Sequence, residues 1–317
     1  MVDHFVNMKS YVIQCIVWVI FQLFFLLERI SCIIVAECNT TIGSILEVIT
    51  GDLTIKQPPN LPLRCRDSSM VLNDGALLLF GGSKIGKKCF QMERGAWKEH
   101  SSLNHERYRH AVITTQTGIF IFGGVYPRET YEYLPKGSTT WLIGKTLIPR
   151  GLWYGCAIAV KSEQEIWLIG GYCTERRILS FNVNDHTFRK LPFQLKKPRF
   201  RHRCAFIPNS NKVMVTGGEV NHFTYDTYNS TEIVDTEDGS VTMASPMNFR
   251  RSNHGMGIIT ISGQDRLAVF GGYDGKRMLD SVEIYNSETE KWELTDIKLK
   301  EPKSDFGFLT IKLGDIV

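Results

Sequence analysis

Three histidines at matching places along the chain are candidates for metal ligation. His110, His202 and His254 each follow an arginine by three residues. Neutral imidazole is the commonest metal ligand in proteins, so three on one surface would suggest a ring of ligands. The alternative is that each is a buried structural residue of a repeated unit. No HExxH, CxxC or GxSxG motif stands out, so the surrounding pattern has to decide.

A diglycine follows a short apolar run five times, at intervals of about 42 to 54 residues. A period of this size indicates stacked supersecondary units. A phosphate-binding glycine loop would need a different spacing and a following helix. Glycine would instead permit close approach of chains and unusual φ values. We interpret these residues as structural: Gly81, Gly82, Gly123, Gly124, Gly170, Gly171, Gly217, Gly218, Gly271 and Gly272.

Each diglycine lies among further short β-prone segments. One apolar stretch precedes the pair, one with Tyr or Val follows it, and a large aromatic closes most units, at Trp97, Trp141, Phe188 and Trp292. Four such segments per repeat, separated by turn residues, predict a four-stranded antiparallel blade. Blades repeated around an axis make a β-propeller, in which the aromatic would fill the gap between blades.

The fifth repeat, LAVFGGYDGKRMLDSVEIYNSETEKWEL (267–294), resembles the Kelch repeat. The resemblance covers about residues 43–317 and implies an all-β, Kelch-type propeller. The Arg-x-x-His spacing at the three histidines also matches a motif of that family. This match favours structural histidines over metal ligands. The C-terminal FGFLTIKLGDIV (306–317) predicts an inner strand, and residues 43–62 predict two outer strands. Joining them gives six blades, the last closed by N- and C-terminal strands, without unpaired edges.

The fold alone does not set the function. Some Kelch relatives are copper radical oxidases, and Tyr172-Cys173 with Tyr225 lie on one expected face, but the full ligand set is not placed. Others are intracellular adaptors for ubiquitin ligases or actin; the ligase adaptors carry a helical domain that the roughly 42 residues before the first strand cannot supply. We therefore expect a non-catalytic protein-binding scaffold with no cofactor and no metal.

The N-terminal segment contains an uncharged run, residues 11–27, preceded by Lys9 and followed after some residues by Ala36. A basic start, an apolar centre and a small residue at the end are typical of a secretory signal. The length also approaches that of a membrane span. We assign residues 1–36 to a signal peptide or membrane anchor and 43–317 to the propeller, and expect a secreted protein, with single-pass anchoring and a cytoplasmic location as alternatives.

Glycosylation and cysteine signals are weaker. Asn39 and Asn229 begin N-x-[ST] sequons and are possible glycosylation sites. Cys156 and Cys204 fall on inner strands, where a buried free thiol is the expected state. A bridge from Cys38 to Cys65 or Cys89 is an open alternative.

Charge is expected to divide the propeller into two unlike faces. Connections that enter the inner strands and loops after the diglycines should share one side, and there cations outnumber anions more than two to one, whereas the whole chain carries only +4. We predict a monomer whose basic face binds an acidic protein segment or a sulfated glycan, with no nucleic acid partner and membrane contact only through the N-terminal segment. The predicted partner-binding residues are Lys84, Lys87, Lys88, Arg109, Arg176, Arg177, Arg201, Phe223, Tyr225, Tyr228, Lys276 and Arg277.

Overall fold

The structure, a computed structural model, describes residues 66–93, 96–172, 175–220 and 226–310 in full, and the backbone of strands at 31–36, 46–49 and 311–312. No helix in these ranges is long and apolar enough to cross a membrane. The strands are β1 (Ser31–Ala36), β2 (Leu46–Ile49), β3 (Ser69–Asn73), β4 (Ala76–Phe80), β5 (Cys89–Glu93), β6 (Ala96–His100), β7 (Ala111–Thr115), β8 (Gly118–Phe122), β9 (Tyr131–Pro135), β10 (Leu142–Ile143), β11 (Cys156–Val160), β12 (Glu165–Ile169), β13 (Arg177–Asn182), β14 (Phe188–Gln194), β15 (Arg203–Phe206), β16 (Lys212–Thr216), β17 (Thr231–Asp235), β18 (Val241–Ala244), β19 (Gly255–Ile261), β20 (Gln264–Phe270), β21 (Ser281–Asn286), β22 (Lys291–Lys298) and β23 (Gly307–Lys312).

Five four-stranded antiparallel sheets follow one another along the chain. We number them blade 1 (β3–β6), blade 2 (β7–β10), blade 3 (β11–β14), blade 4 (β15–β18) and blade 5 (β19–β22). In each blade the strands pair in chain order, so that the first strand is innermost and the fourth outermost. The prediction of an all-β propeller built from four-stranded antiparallel blades is therefore confirmed.

A three-stranded sheet joins the two ends of the chain. In it β1 lies between β2 and β23, with Ile34 opposite both Val48 and Leu309. Only five sheets have four strands among the described residues, so the count of six complete blades stays a prediction. The strand beside β23 is β1, which lies in the segment that the sequence assigned to a leader.

The core lies between blades. The second strand of blade 2, β8, is buried at every position because neighbouring blades cover both faces, as expected of a short continuous apolar run. The other second strands are buried over their last three or four residues. Trp141 of blade 2 packs edge-on against Phe80 of blade 1, with ring centroids 5.4 Å apart. Trp292 of blade 5 packs in one cluster with Met214 of blade 4. The predicted role of the closing aromatics, filling the gap between blades, holds at these two interfaces.

The diglycines provide close contact between successive blades. Gly81 has φ +64°, and a Cβ added there would lie 2.7 Å from the carbonyl oxygen of Arg107 in the next blade. Real Cβ atoms essentially never approach so closely. A residue without Cβ is thus required both by the left-handed backbone and by the neighbouring chain.

Candidate functional site: the loop face and the channel mouth

Two kinds of chain segment meet on one side of the propeller, which we call the loop face: the loops after the diglycines and the connections that enter the inner strands. In blade 1, the amide of Gly82 donates to the carbonyl oxygen of Arg107 at 2.7 Å, and the amide of Ser83 to that of Arg66 at 2.9 Å. Each post-glycine loop is therefore bonded to the connections of its own blade and of the next one. The same two bonds recur with the donors Gly124 and Val125, Gly171 and Tyr172, Gly218 and Glu219, and Gly272 and Tyr273.

Buried arginines anchor three of the entering connections. The guanidinium of Arg251 donates to Glu283 at 2.9 Å, to the carbonyl oxygen of Gly271 at 2.6 Å and to that of Ser281 at 3.1 Å. Burial lowers the pKa of Arg251, and the facing carboxylate of Glu283 opposes part of that shift. The guanidinium stays charged because arginine does not lose its proton in proteins. Because the strand glutamates neutralise these arginines, the positive excess on the loop face is smaller than the loop residues alone indicate. The equivalent pairs are Arg107 with Glu132 and Arg199 with Glu232.

The recurring histidines lie at blade interfaces. A Cβ on Gly81 would be 2.8 Å from Cε1 of His110, so the imidazole fills the space that the glycine leaves. Burial and Arg107 lower the pKa of His110 to about 3, and the pKa of His202 falls to about 3 for the same kind of reason. Both rings are therefore neutral at physiological pH. Within the described ranges, no group of three or more His, Cys, Asp or Glu side chains could hold a metal ion.

Six residues with left-handed backbone surround the propeller axis, each two residues before an inner strand. Five consecutive backbone hydrogen bonds of 2.9 to 3.2 Å link them around the axis. We call this ring the channel mouth. Its members are Asp67, Arg109, Tyr154, Arg201, Asn253 and Asp305, with φ between 50° and 61°.

Side chains of the channel mouth form a continuous set of contacts. Arg201 pairs with Glu219 at 3.0 Å and donates to the Tyr154 hydroxyl at 2.9 Å. The Arg109 guanidinium lies 4.7 Å from the Tyr154 ring centroid, and its Nε lies 3.4 Å from Asp67. Such cation–π contacts stabilise by about 0.5–2 kcal/mol. In the mouth the two arginines thus lie on either side of Tyr154, and the two aspartates are neighbours.

Below the mouth the central channel encloses a cavity of about 350 Å³. Asp67 and Asp305 lie at its rim and Arg203 on its wall. Burial and the nearby Asp305 raise the pKa of Asp67 to about 6, outweighing the opposing effect of Arg109. Arg203 donates to the carbonyl oxygen of His202 at 3.3 Å. Its guanidinium has no carboxylate within ion-pair distance in the described part of the chain.

Five of the predicted partner-binding residues are exposed on the loop face. Lys88 lies 3.4 Å from Glu99, and Arg277 lies 3.7 Å from Asp274. Lys84, Lys87 and Lys276 form no ion pair with any residue that the structure describes. These three lysines are therefore the freest cations among the predicted set.

Other members of the predicted set are bound within the protein. Arg201 is only 9% exposed, and its ion pair with Glu219 makes it a poor partner contact, contrary to the expectation. Arg109 is half-buried against Tyr154. Arg176 is half-buried, and its Nε donates to the carbonyl oxygen of Leu195 at 2.7 Å. Arg177 is half-buried at the start of β13, and Tyr228 is half-buried with the Lys197 ammonium 5.1 Å from its ring centroid.

Several sequence predictions fall outside the described residues: Phe223, Tyr225, Asn39, Cys38, Cys65 and Cys173. Tyr172, the neighbour of Cys173, packs edge-on against Trp153 with ring centroids 4.7 Å apart. Asn229 is half-buried, and its Nδ2 donates to the carbonyl oxygen of Met247 at 3.2 Å. Glycosylation at either sequon stays a prediction.

The cysteines correct one expectation. Cys156 and Cys204, expected to be free thiols, form a disulfide between the inner strands of blades 3 and 4. These strands converge near the axis, which brings residues 48 apart in sequence to a Cα–Cα distance of 6.1 Å. Cys89 is instead a buried free thiol, so a Cys38–Cys89 bridge is not formed. Burial raises the pKa of Cys89 to about 12.

The side opposite the loop face carries the loops between first and second strands and between third and fourth strands. Its exposed carboxylates include Asp74, Asp185, Glu237, Asp238, Glu288 and Glu290. Exposed lysines are present there as well, at Lys136, Lys161, Lys212 and Lys291. The two faces therefore differ in charge in the predicted direction.

The repeat signature at the C-terminal end agrees with a known family. A sequence model of the Kelch motif matches residues 262–294, which cover the hairpin, the diglycine and Trp292 of blade 5. The chain thus carries a Kelch motif in blade 5. The propeller fold of the Kelch family is consistent with a protein-binding scaffold.

Curated relatives extend this likeness over more of the chain. Kelch-like protein 23 of Mus musculus is 25% identical over 216 residues, 65% of this chain, and that of Homo sapiens is 24% identical over the same share. The chain spans about 36% of the length of these relatives. The solved structure of YjhT has a TM-score of 0.66 at 11% identity, covering 79% of this chain and 88% of that one. This last likeness concerns the fold alone.

Sequence reasoning missed the residues of the channel mouth other than Arg109 and Arg201. Aligning the repeats on the residue before the recurrent histidine would have found them. That position holds Arg109, Arg201 and Asn253 where the histidine is present, and Tyr154, Asp305 and Asp67 where Gly155, Phe306 and Ser68 replace it.

Proposed function

We propose that this protein is a non-catalytic binding scaffold that docks an acidic protein segment on its loop face. The observation that carries the proposal is the exposure of Lys84, Lys87 and Lys276 on that face without ion-pair partners among the described residues. The backbone bonds that hold the post-glycine loops keep these cations on a rigid surface. A carboxylate-rich partner would be attracted over a distance and oriented by the difference between the faces.

A scaffold is favoured over an enzyme by the position of the histidines. His110, His202 and His254 are the groups that the sequence best suits to metal binding or proton transfer, yet all three are buried between blades. A general base must come within hydrogen-bonding reach of its substrate. Buried, neutral imidazoles that fill the space beside glycines support a structural role.

Charge reversal with a matched control tests the docking face. A fluorescent Glu-rich peptide is titrated into the wild type, into K84E/K87E/K276E, and into K136E/K212E/K291E, which makes the same charge change on the opposite side. We expect the first variant to lose at least about tenfold in affinity and the second to stay near wild type, with wild-type binding weakening as salt rises. Equal affinities for the two variants would place binding elsewhere. Stronger binding of heparin than of the peptide would identify a sulfated glycan as the partner.

We propose that the protein follows the secretory route. The apolar run at residues 11–27 and the Cys156–Cys204 disulfide support this, because disulfides persist mainly in oxidising compartments. A cut after Ala36 would remove β1, the middle strand of the closing sheet, so we place any cut before Ser31. N-terminal sequencing of protein recovered from the culture medium tests this. A mature chain that begins at residue 37, or protein confined to the cytosol, would contradict the proposal.

We also infer that the sheet of β2, β1 and β23 acts as a sixth blade. The six members of the channel mouth, one before each inner strand including β23, support this count. Deletion of residues 307–317 should then yield aggregated or unfolded protein by size-exclusion chromatography, since β1 and the inner edge of the ring would lose their partner. A well-folded monomer from that deletion would remove the closure.

A further inference from the structure

The channel cavity contains a buried arginine, Arg203, that has no carboxylate within ion-pair distance among the described residues. Burial lowers the pKa of Arg203, and the more distant charges of Asp305 and Asp67 oppose that shift. Arg203 is the first residue of β15, and the first residues of the other inner strands are all small: Ser69, Ala111, Cys156, Gly255 and Gly307. Arg203 is therefore the largest side chain at this level of the channel. Its guanidinium lies 5.4 Å from the ring centroid of Phe308, and its Nε is buried without a hydrogen-bond partner.

Negative charge lies at the rim of the same cavity. Asp67 and Asp305 both line it, and the Asp67 side chain is only 5% exposed. Arg109 lies 3.4 Å from the Asp67 carboxylate, and Arg66 lies 3.4 Å from that of Asp305. Ser68 also lines the cavity; it is 7% exposed, and its hydroxyl has no partner. An unsatisfied buried hydroxyl costs stability unless something else completes its hydrogen bonds.

The rest of the wall is mostly apolar. Met70, Val112, Met256 and Phe308 line the cavity together with the Cys156–Cys204 disulfide. A volume of about 350 Å³ is at the lower end of small-molecule sites, which are typically apolar with a few placed polar groups. The cavity thus combines a separated cation, an acid pair and an apolar wall in a small space.

We propose that the channel binds a free α-amino acid with an apolar side chain. Arg203 receives the carboxylate, Asp67 and Asp305 receive the ammonium, and the side chain contacts the apolar wall. A zwitterion can contact the cation and the acid pair at once, whereas a simple anion or cation would engage only one of them. This site is separate from the docking lysines of the loop face, so its test does not depend on the docking proposal.

Three related probes decide the proposal. L-leucine, N-acetyl-L-leucine, which lacks the ammonium, and L-leucinamide, which lacks the carboxylate, are titrated into the full chain by isothermal calorimetry. We expect saturable 1:1 binding of L-leucine and at least about tenfold weaker binding of each blocked probe, because a site built for a charged group rejects analogues that lack it. No binding of L-leucine at about 10 mM, or equal binding of all three, would overturn the proposal.

Two variants test which protein side chains bind the carboxylate and the ammonium of the amino acid. Arg203→Gln should weaken L-leucine at least about tenfold while leaving L-leucinamide nearly unchanged, since that probe has already lost the carboxylate. Asp67→Asn should weaken L-leucine but leave N-acetyl-L-leucine nearly unchanged. Lys212→Gln, on the opposite face, serves as the control. Equal weakening of the binding of all three probes in both variants would contradict the assignment. The wild-type series remains a valid test even if a variant fails to fold.

Discussion

The guanidinium of Arg107 and the carboxylate of Glu132 lie 2.8 Å apart with both side chains fully buried. Glu132 also accepts the backbone amide of Asn104 at 2.6 Å, and Arg107 donates to the carbonyl oxygen of Gly123 at 2.7 Å. The pair therefore fixes the connection that enters blade 2 to strands β8 and β9. It holds the loop face in place from within the blade.

Removal of one partner of the Arg107–Glu132 pair should lower the free energy of unfolding. Arg107→Met leaves a buried carboxylate without its cation, and we expect a loss of about 3–5 kcal/mol in the free energy of unfolding, measured in urea. The double variant R107M/E132L should lose less than the sum of the two single variants, because it leaves no unpaired charge. Lys84→Met, at an exposed site, should change stability by no more than about 0.5 kcal/mol. Additive single and double values would mean that the two side chains do not act as a pair.

A comparison of two glycines separates the cost of close contact between blades from the cost of backbone strain. Gly81 and Gly137 have φ of +64° and +72°, but a Cβ on Gly137 would meet nothing within 4 Å. Gly137→Ala should therefore cost only the strain of a left-handed alanine, about 1–2 kcal/mol. Gly81→Ala should cost at least about 2 kcal/mol more, because its Cβ would collide with Arg107 and His110. Equal losses in thermal or urea unfolding would show that the contact between blades is not the constraint.

Acid should destabilise the propeller through its buried histidines. The folded-state pKa of His110 and of His202 is about 3, below the ordinary 6.5, so the unfolded chain binds more protons below pH 6.5. Stability is fully present above that pH and is lost as pH falls towards 3, by about 2 kcal/mol per histidine at pH 5. The raised pKa of Asp67, about 6, acts oppositely, since stability from its protonated form is gained as pH falls from 6 to 4.

Substitution of His202 by phenylalanine tests this linkage. Phenylalanine should fit, because Phe306 lies beside Gly271 at the place that histidine takes beside other diglycines. His202→Phe should fold at pH 7.5 and lose about 2 kcal/mol less than the wild type between pH 7.5 and pH 5, in urea unfolding at each pH. An unchanged pH dependence would mean that His202 has the same pKa in the folded and unfolded states.

The sequence was sufficient for the blades because their strands are short apolar runs ended by diglycines. It was insufficient wherever neighbours across blades decide the outcome. The partner of Arg107 is a glutamate in a strand, so a count of loop charges alone overstated the positive face. The strand Ser31–Ala36 follows an apolar run and was assigned to a leader, although it pairs with β23. The side-chain contacts of the channel mouth form only when six distant chain segments are brought around one axis.

The disulfide between Cys156 and Cys204 should contribute strongly to stability, because it joins the inner strands of two successive blades. It closes a loop of 48 residues, and the chain-entropy relation gives about 4 kcal/mol for a loop of that length. Cys156→Ala with Cys204→Ala should therefore lower the free energy of unfolding by several kcal/mol, measured in urea without reductant. Reductant should destabilise the wild type by a similar amount, since it breaks the same bond.

The double variant distinguishes the disulfide from other effects of reductant. Its stability should respond to dithiothreitol much less than that of the wild type, because the Cys156–Cys204 bond is absent and Cys89, a free thiol among the described residues, is buried and forms no bond to reduce. Cys89→Ala should retain the full response to dithiothreitol. A wild type indifferent to reductant would mean that the two thiols stay reduced, and the support that the disulfide gives to a secretory route would be lost with it.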